Sequence, residues 1–117
     1  MPTGRVMPTF SQYDVVSVPF PYTDRAALER RPALVISKPG LETRFGLLWV
    51  LMITAAENAP WDDDVPITDH REAGLSIPSI IRPTKVATVE ASRARLRGKV
   101  PPTIAARVAA VVRSTII

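Results

Sequence analysis

The sequence contains no cysteine. Disulfides, thiolate metal sites and thiol nucleophiles are therefore excluded, and a reducing, cytoplasmic setting is the expectation. Its one histidine, His70, removes two-histidine acid–base chemistry and any His-rich metal centre. Aromatic residues make up only 6% of the chain, so no array of base-stacking platforms is written into it. Tyr22 and Trp61 fall in loop-like stretches, where stacking on bases and packing over one end of the fold are both open readings. The longest apolar run, Leu47 to Ile53, is far short of the ~20 residues of a membrane span and suits a strand, so no membrane partner is expected. Asp62-Asp63-Asp64 is the one acidic run. Neighbouring loop carboxylates point in different directions and no second acidic group is suitably spaced, so it reads as a solvated loop, with no metal and no cofactor implied.

The rest of the composition describes an ordinary globular chain. Its 117 residues suffice for one core but not two. Hydrophobic content of 46% and charged content of 22% argue against global disorder. The net charge of +4 favours a polyanionic partner. Residues 1–12 lack a signal-peptide core and read as a flexible arm, followed by a single domain over 13–117. Short apolar runs punctuated by polar turns predict strands at Asp14 to Phe20, Ala33 to Ser37, Leu47 to Thr54, Val65 to Ile67, Ser79 to Arg82 and Val86 to Val89. Lys38-Pro39-Gly40 reads as a turn, and Glu90 to Leu96 as a short helix. Thr103 to Ile117 places Ile104, Val108, Val111, Val112 and Thr115 at helical spacing behind Pro101 and Pro102. The expected architecture is mainly β with α, a small antiparallel barrel closed by a C-terminal helix.

Arg30-Arg31-Pro32, followed by Ala33 to Ile36, is the most informative stretch. Proline fixes its own φ and pushes the residue before it towards extended geometry, which sets Arg31 where a loop enters a buried strand. A guanidinium held at a sheet rim matches a phosphate with paired, charge-assisted hydrogen bonds. Thr54 leaves the next strand, Leu47 to Thr54. If the two strands pair antiparallel, the cation and the hydroxyl fall at one end of the sheet and form a phosphate clamp. Arg82-Pro83 repeats the extended Arg-Pro geometry. Lys85, Arg93, Arg95, Arg97 and Lys99 make the C-terminal third basic, which fits either a solvated helix face or a nucleic-acid groove. Glu57 is a candidate general base only if its loop folds back towards Thr54.

The order of these pieces resembles the MazF/PemK (CcdB-like) toxins of bacterial toxin–antitoxin systems. Asp14-Val15-Val16-Ser17-Val18-Pro19-Phe20-Pro21-Tyr22-Thr23-Asp24 is similar to the family's opening "GDVVLVxFPFTD", and Arg31-Pro32-Ala33-Leu34-Val35-Ile36-Ser37 to its "RPALVLS". Ile53-Thr54 is similar to the "PIT" that ends its third strand. Gly74-Leu75, Pro78-Ser79-Ile80-Ile81-Arg82 and Lys85-Val86-Ala87-Thr88-Val89 resemble its "GL…PSVVR…QIRTVD". The resemblance implies an SH3-like β-barrel with a C-terminal helix, a homodimer, and a metal-independent endoribonuclease. Such an enzyme cuts single-stranded RNA at short motifs and is neutralised by a cognate antitoxin. Position by position, it puts catalytic roles on Arg31 and Thr54. RNA contacts fall on Tyr22, Thr23, Arg25 and Arg30 of the first loop, and on Arg82 and Lys85. Tyr13 departs from the family's usual glycine, and Thr84 from the aspartate of the PemK branch, whose histidine near the first loop is also missing. Two alternatives remain: a nucleic-acid-binding barrel without catalysis, and a toxin that poisons gyrase through protein contacts.

Overall fold

A computed structural model of the chain describes residues 7–19, 29–58 and 60–116. Six strands form one antiparallel sheet: β1 (Asp14–Pro19), β2 (Arg30–Val35), β3 (Leu47–Ala55), β4 (Val65–Ile67), β5 (Ser79–Glu90) and β6 (Arg95–Lys99). Their order across the sheet is β4-β5-β3-β2-β1-β6. Two helices complete the fold, α1 (Pro39–Phe45) and α2 (Pro102–Ile116).

Both faces of the sheet are buried at its centre. Alternation in β1 and β3 sends Val16, Val18, Val50 and Met52 to one face, where Ala33, Val35, Leu48 and Phe10 join them. Val15, Leu34, Leu51, Ile53 and Ile81 point to the other face, and α2 lays Ile104 and Val108 upon it. Complete burial of each such aliphatic side chain contributes about 1.5–3 kcal/mol, so the helix contacts are what dry the second face. The helix begins where Pro101 and Pro102 place it. Of the five residues spaced to face inward, Ile104 and Val108 are buried and Val112 is partly covered.

Four local expectations are corrected. Lys38-Pro39-Gly40 is not a turn: α1 forms with Pro39 in its first turn and Gly46 as a left-handed C-cap, whose N–H donates to the Glu42 carbonyl at 2.8 Å. Residues 9–12, expected within a flexible arm, are pinned. The buried Glu42 carboxylate accepts the Thr9 and Phe10 backbone N–H groups at 2.9 and 3.0 Å, and Phe10 enters the core. Glu90 to Leu96 forms only a single 3₁₀ turn, Ala91–Arg93, before β6 pairs with the otherwise open edge of β1. The strands expected at Ser79 to Arg82 and Val86 to Val89 are one strand, β5. Its pairing jumps from Met52↔Arg82 to Leu51↔Val86. Pro83, Thr84 and Lys85 bulge out between those partners, and a bulge is where a proline's missing donor costs nothing.

Two backbone positions carry left-handed geometry that matters. Tyr13 has φ +74°, a conformation costing a non-glycine residue roughly 1 kcal/mol, which gives a physical reason for glycine at such a turn. Its ring packs against the α2-side core, and its N–H donates to the Val35 carbonyl at 2.7 Å. Gly74 has φ +78°, and a Cβ there would overlap the Arg97 carbonyl of β6. Gly74→Ala is expected to destabilise the fold by about 3 kcal/mol, combining overpacking with left-handed strain. A drop in the urea midpoint at unchanged slope is the measurement; an unchanged midpoint would contradict the close packing of the 69–74 turn on β6.

Candidate functional site

The β2–β3 register is Ala33↔Met52, Leu34↔Leu51 and Val35↔Val50. Continued by two residues, it sets Arg31 opposite Thr54. The antiparallel pairing that the clamp required is therefore present, with both residues at one end of the sheet. Arg31 is the second residue of β2, not the last residue before it, and pairs with Val18 of β1. The strand backbone therefore fixes its Cα, while its side chain remains 54% exposed.

Arg31 and Thr54 line one open cleft of about 210 Å³ together with Met52, Ile53, Arg82 and Lys85. Each position has a local cause. Arg82 pairs with Met52, next to the core of the sheet. Lys85 is carried by the β5 bulge, which turns the strand towards the cleft rim. Thr54 lies where β3 runs out into the turn at 56–58, and its hydroxyl oxygen accepts a hydrogen bond from the Asn58 side-chain amide. An amide donating to that oxygen leaves the hydroxyl proton to be directed elsewhere, so Thr54 can itself act as a donor.

Arg82 is the most constrained cation of the group. Its side chain is 10% exposed, and that of its partner Asp64 is 4% exposed. The guanidinium donates to Asp64 through Nε at 3.2 Å and through Nη2 at 2.9 Å. Its Cζ also lies 4.1 Å from the centre of the Trp61 ring, and Lys85 Nζ lies 5.5 Å from it. The indole face is thus engaged by two cations of the cleft. Asp64 is consequently not part of a solvated acidic run. The turn at 61–64 folds it inward, closed by the Trp61 backbone N–H on its Oδ2 at 2.7 Å. Sequence reasoning missed Asp64, Asn58 and the placement of Trp61, because each acts through a partner far along the chain or around a turn. Only the position of Asn58, four residues past Thr54, was a readable signal.

The remaining expected residues divide. Arg82 and Lys85 join Arg31 and Thr54. Arg30 does not line that cleft: it donates to the Ser17 hydroxyl and carbonyl and to the Arg93 carbonyl, tying β2 to β1 and to the 3₁₀ turn. Partial burial, and secondarily the nearby charge of Arg95, lowers its pKa from the usual arginine value. Tyr22, Thr23 and Arg25 lie outside the described residues. Glu57 is exposed in its turn and is not among the cleft-lining residues. Among the described residues, no three His, Asp or Glu side chains are grouped to hold a metal ion, and no helix is long and apolar enough to cross a membrane.

A hydroxyl donor and three cations, with one carboxylate holding the deepest of them, form an arrangement whose charge and donors suit a phosphodiester. Comparison with known proteins bears on which kind. A family model described as PemK-like, MazF-like toxin of type II toxin–antitoxin system matches residues 11–116. Among solved structures, a MazE–MazF complex from Deinococcus radiodurans superposes with a TM-score of 0.72 at 18% identity, covering 95% of this chain and 96% of that one. MazF from the same organism gives 0.71 at 20% identity, with 95% and 97% covered. An endoribonuclease in complex with its cognate antitoxin, from a mycobacterial species, gives 0.72 at 11% identity, with 92% and 95% covered. At these identities the likeness shows the fold, the mostly antiparallel half-barrel with its C-terminal helix. No curated protein sequence matches.

Proposed function

The chain belongs to the family of PemK-like, MazF-like toxins of type II toxin–antitoxin systems, and on that premise we propose that it is a sequence-specific endoribonuclease acting on single-stranded RNA. The observation that carries this reading is the convergence of Arg31 and Thr54, from facing strands, in one cleft with Arg82 and Lys85. In the proposed reaction the ribose 2′-oxygen attacks the adjacent phosphorus and the P–O5′ bond breaks. The products are a 2′,3′-cyclic phosphate and a 5′-hydroxyl end. Negative charge builds on the non-bridging phosphoryl oxygens in the transition state. The Arg31 guanidinium and the Thr54 hydroxyl stabilise it there as preorganised donors. Arg82 and Lys85 add positive potential at the floor and rim, with Arg82 fixed by Asp64 and Trp61 so that little reorganisation accompanies the reaction. Arginine stays protonated, so proton removal from the 2′-hydroxyl falls to a group outside this set. The scheme draws its positive charge from side chains and needs no metal ion.

Complexes of related toxins with antitoxins support a cognate antitoxin as partner, and we propose a cytoplasmic homodimer as the working form. The test is incubation of the purified protein, free of antitoxin, with a long single-stranded RNA in excess EDTA. Discrete fragments bearing cyclic phosphate are expected. RNA left intact at high protein excess, by a protein shown to be folded, would overturn the ribonuclease reading for that substrate.

A further inference from the structure

Arg31 stands on a lip of the sheet and lines more than the Thr54 cleft. A second groove, of about 260 Å³, runs from it along the neighbouring strand edge and is walled by Arg30, Arg95 and Arg97, with Ser17 and Ser76 between them. The register explains why these residues meet. Ser17 pairs with Pro32 on one side and with Arg95 on the other, so the three share a face. Arg97 lies where the β1–β6 register shifts, in the bulge opposite Val15 and Val16, which brings it to the same groove. No carboxylate lines the groove. Among the described residues, neither Arg95 nor Arg97 has an ion pair or a side-chain hydrogen bond, and both are exposed.

The walls are built rather than incidental. The 69–74 turn is pressed onto β6 at two glycines: a Cβ at Gly74 would overlap the Arg97 carbonyl, and one at Gly98 would lie 2.6 Å from the Ala73 carbonyl carbon. That contact fixes Ser76 and the turn on one side against Arg95 and Arg97 on the other. Burial, and secondarily the charge of Arg95, disfavours the charged form of Arg30, so like charges stand near one another here. A fold that holds three guanidiniums together without an acid gains when a polyanion enters.

We propose that this groove is a subsite for the phosphates that flank the scissile one on the same RNA strand, with Arg95 and Arg97 as its contacts. The proposal rests on the ribonuclease reading and extends it. Arg31 belongs to both the cleft and the groove, so a strand whose scissile phosphate sits between Arg31 and Thr54 lays its next phosphates towards β6. The strand must turn at the lip to do so. Charge without stacking surface makes the contact sequence-independent: it contributes affinity and register, and leaves base discrimination to other parts of the cleft.

The test uses the full chain and the RNA segment found to be cleaved, blocked by 2′-O-methylation at the scissile ribose. Binding of this probe is measured across a salt series for wild type, R95Q/R97Q and R95K/R97K. Loss of two phosphate contacts is expected to weaken binding roughly 10- to 30-fold at about 0.1 M salt and to reduce the slope of log K against log salt by about 1.4, with the lysine pair restoring most of both. Trimming the probe on the side that reaches β6 should erase the difference between the proteins. Wild type that cleaves RNA, alongside a glutamine pair that binds with unchanged affinity and slope, overturns the subsite and leaves the ribonuclease standing. Wild type that neither cuts nor binds removes both. A glutamine pair that binds RNA normally but escapes inhibition by an acidic antitoxin would assign the groove to that protein and overturn the proposal.

Discussion

Replacing Arg31 by alanine is expected to lower kcat for RNA cleavage by roughly 10³-fold while leaving the fold intact. The size follows from what the residue is asked to do. Removing one preorganised donor from a developing oxyanion costs ~10²–10³, and a charged arginine aimed at a phosphoryl group supplies 10³ or more. The selectivity follows from its exposure: a side chain more than half in water, with an ion pair of 3.4 Å to the exposed Glu29, contributes little to stability. Thermal midpoints should therefore agree closely between variant and wild type, since exposed substitutions usually stay within about 0.5 kcal/mol. Arg31→Lys is expected to fall between the two, because an ammonium keeps the charge but not the planar fork. Thr54→Val should cost less than Arg31→Ala, since it removes a neutral donor. Retention of near-wild-type kcat by Arg31→Ala would refute the role given to this residue.

Asp64→Ala is expected to destabilise the fold by about 3 kcal/mol. It removes the carboxylate that faces the Arg82 guanidinium, which is nine-tenths buried, and breaking one side of a buried pair is much costlier than replacing both. The Trp61 ring, 4.1 Å from Arg82 Cζ, retains a smaller cation–π contribution, so the loss should be less than that of a fully isolated charge. The double variant D64A/R82M is expected to recover much of the stability lost by D64A, because an apolar side chain of similar length needs no counter-ion. It should nonetheless cleave RNA poorly, since the cleft has lost its deepest cation. Denaturant midpoints and kcat measured on the same three proteins separate the two roles. A D64A/R82M protein no more stable than D64A would show that the pair is not what holds this corner together.

Much of the cleft was readable because the relevant signals are local. Proline at 32 and at 83 constrains the arginine before each, the apolar runs announce β2 and β3, and a strand entry paired with a strand exit needs only an antiparallel register to bring Arg31 and Thr54 together. The proline pair before Thr103 likewise announced α2. What stayed hidden depends on partners distant in sequence. Nothing in Pro39-Gly40 told a turn from a helix start until Glu42 could turn inward to take the Thr9 and Phe10 amides. The segment expected as a helix at 90–96 makes only one 3₁₀ turn and then enters β6, because β1 offers an unpaired edge and ladder hydrogen bonds outweigh a weak helical preference.

The sequence by itself therefore determined the class of protein, the strands that carry Arg31 and Thr54, and the helix that closes one face. Short-range sterics and hydrophobic period act within a few residues and need no context. Only the tertiary structure decided the electrostatics. It drew Asp64 out of an apparently solvated run to bury it on Arg82 and set Trp61 beneath two cations. It also bulged β5 to carry Lys85 to the rim, and folded the 69–74 turn against β6 so that Arg95 and Arg97 wall a groove beside the cleft. Charges interact through space across whatever separation the chain imposes, so their arrangement is fixed only when the sheet has folded.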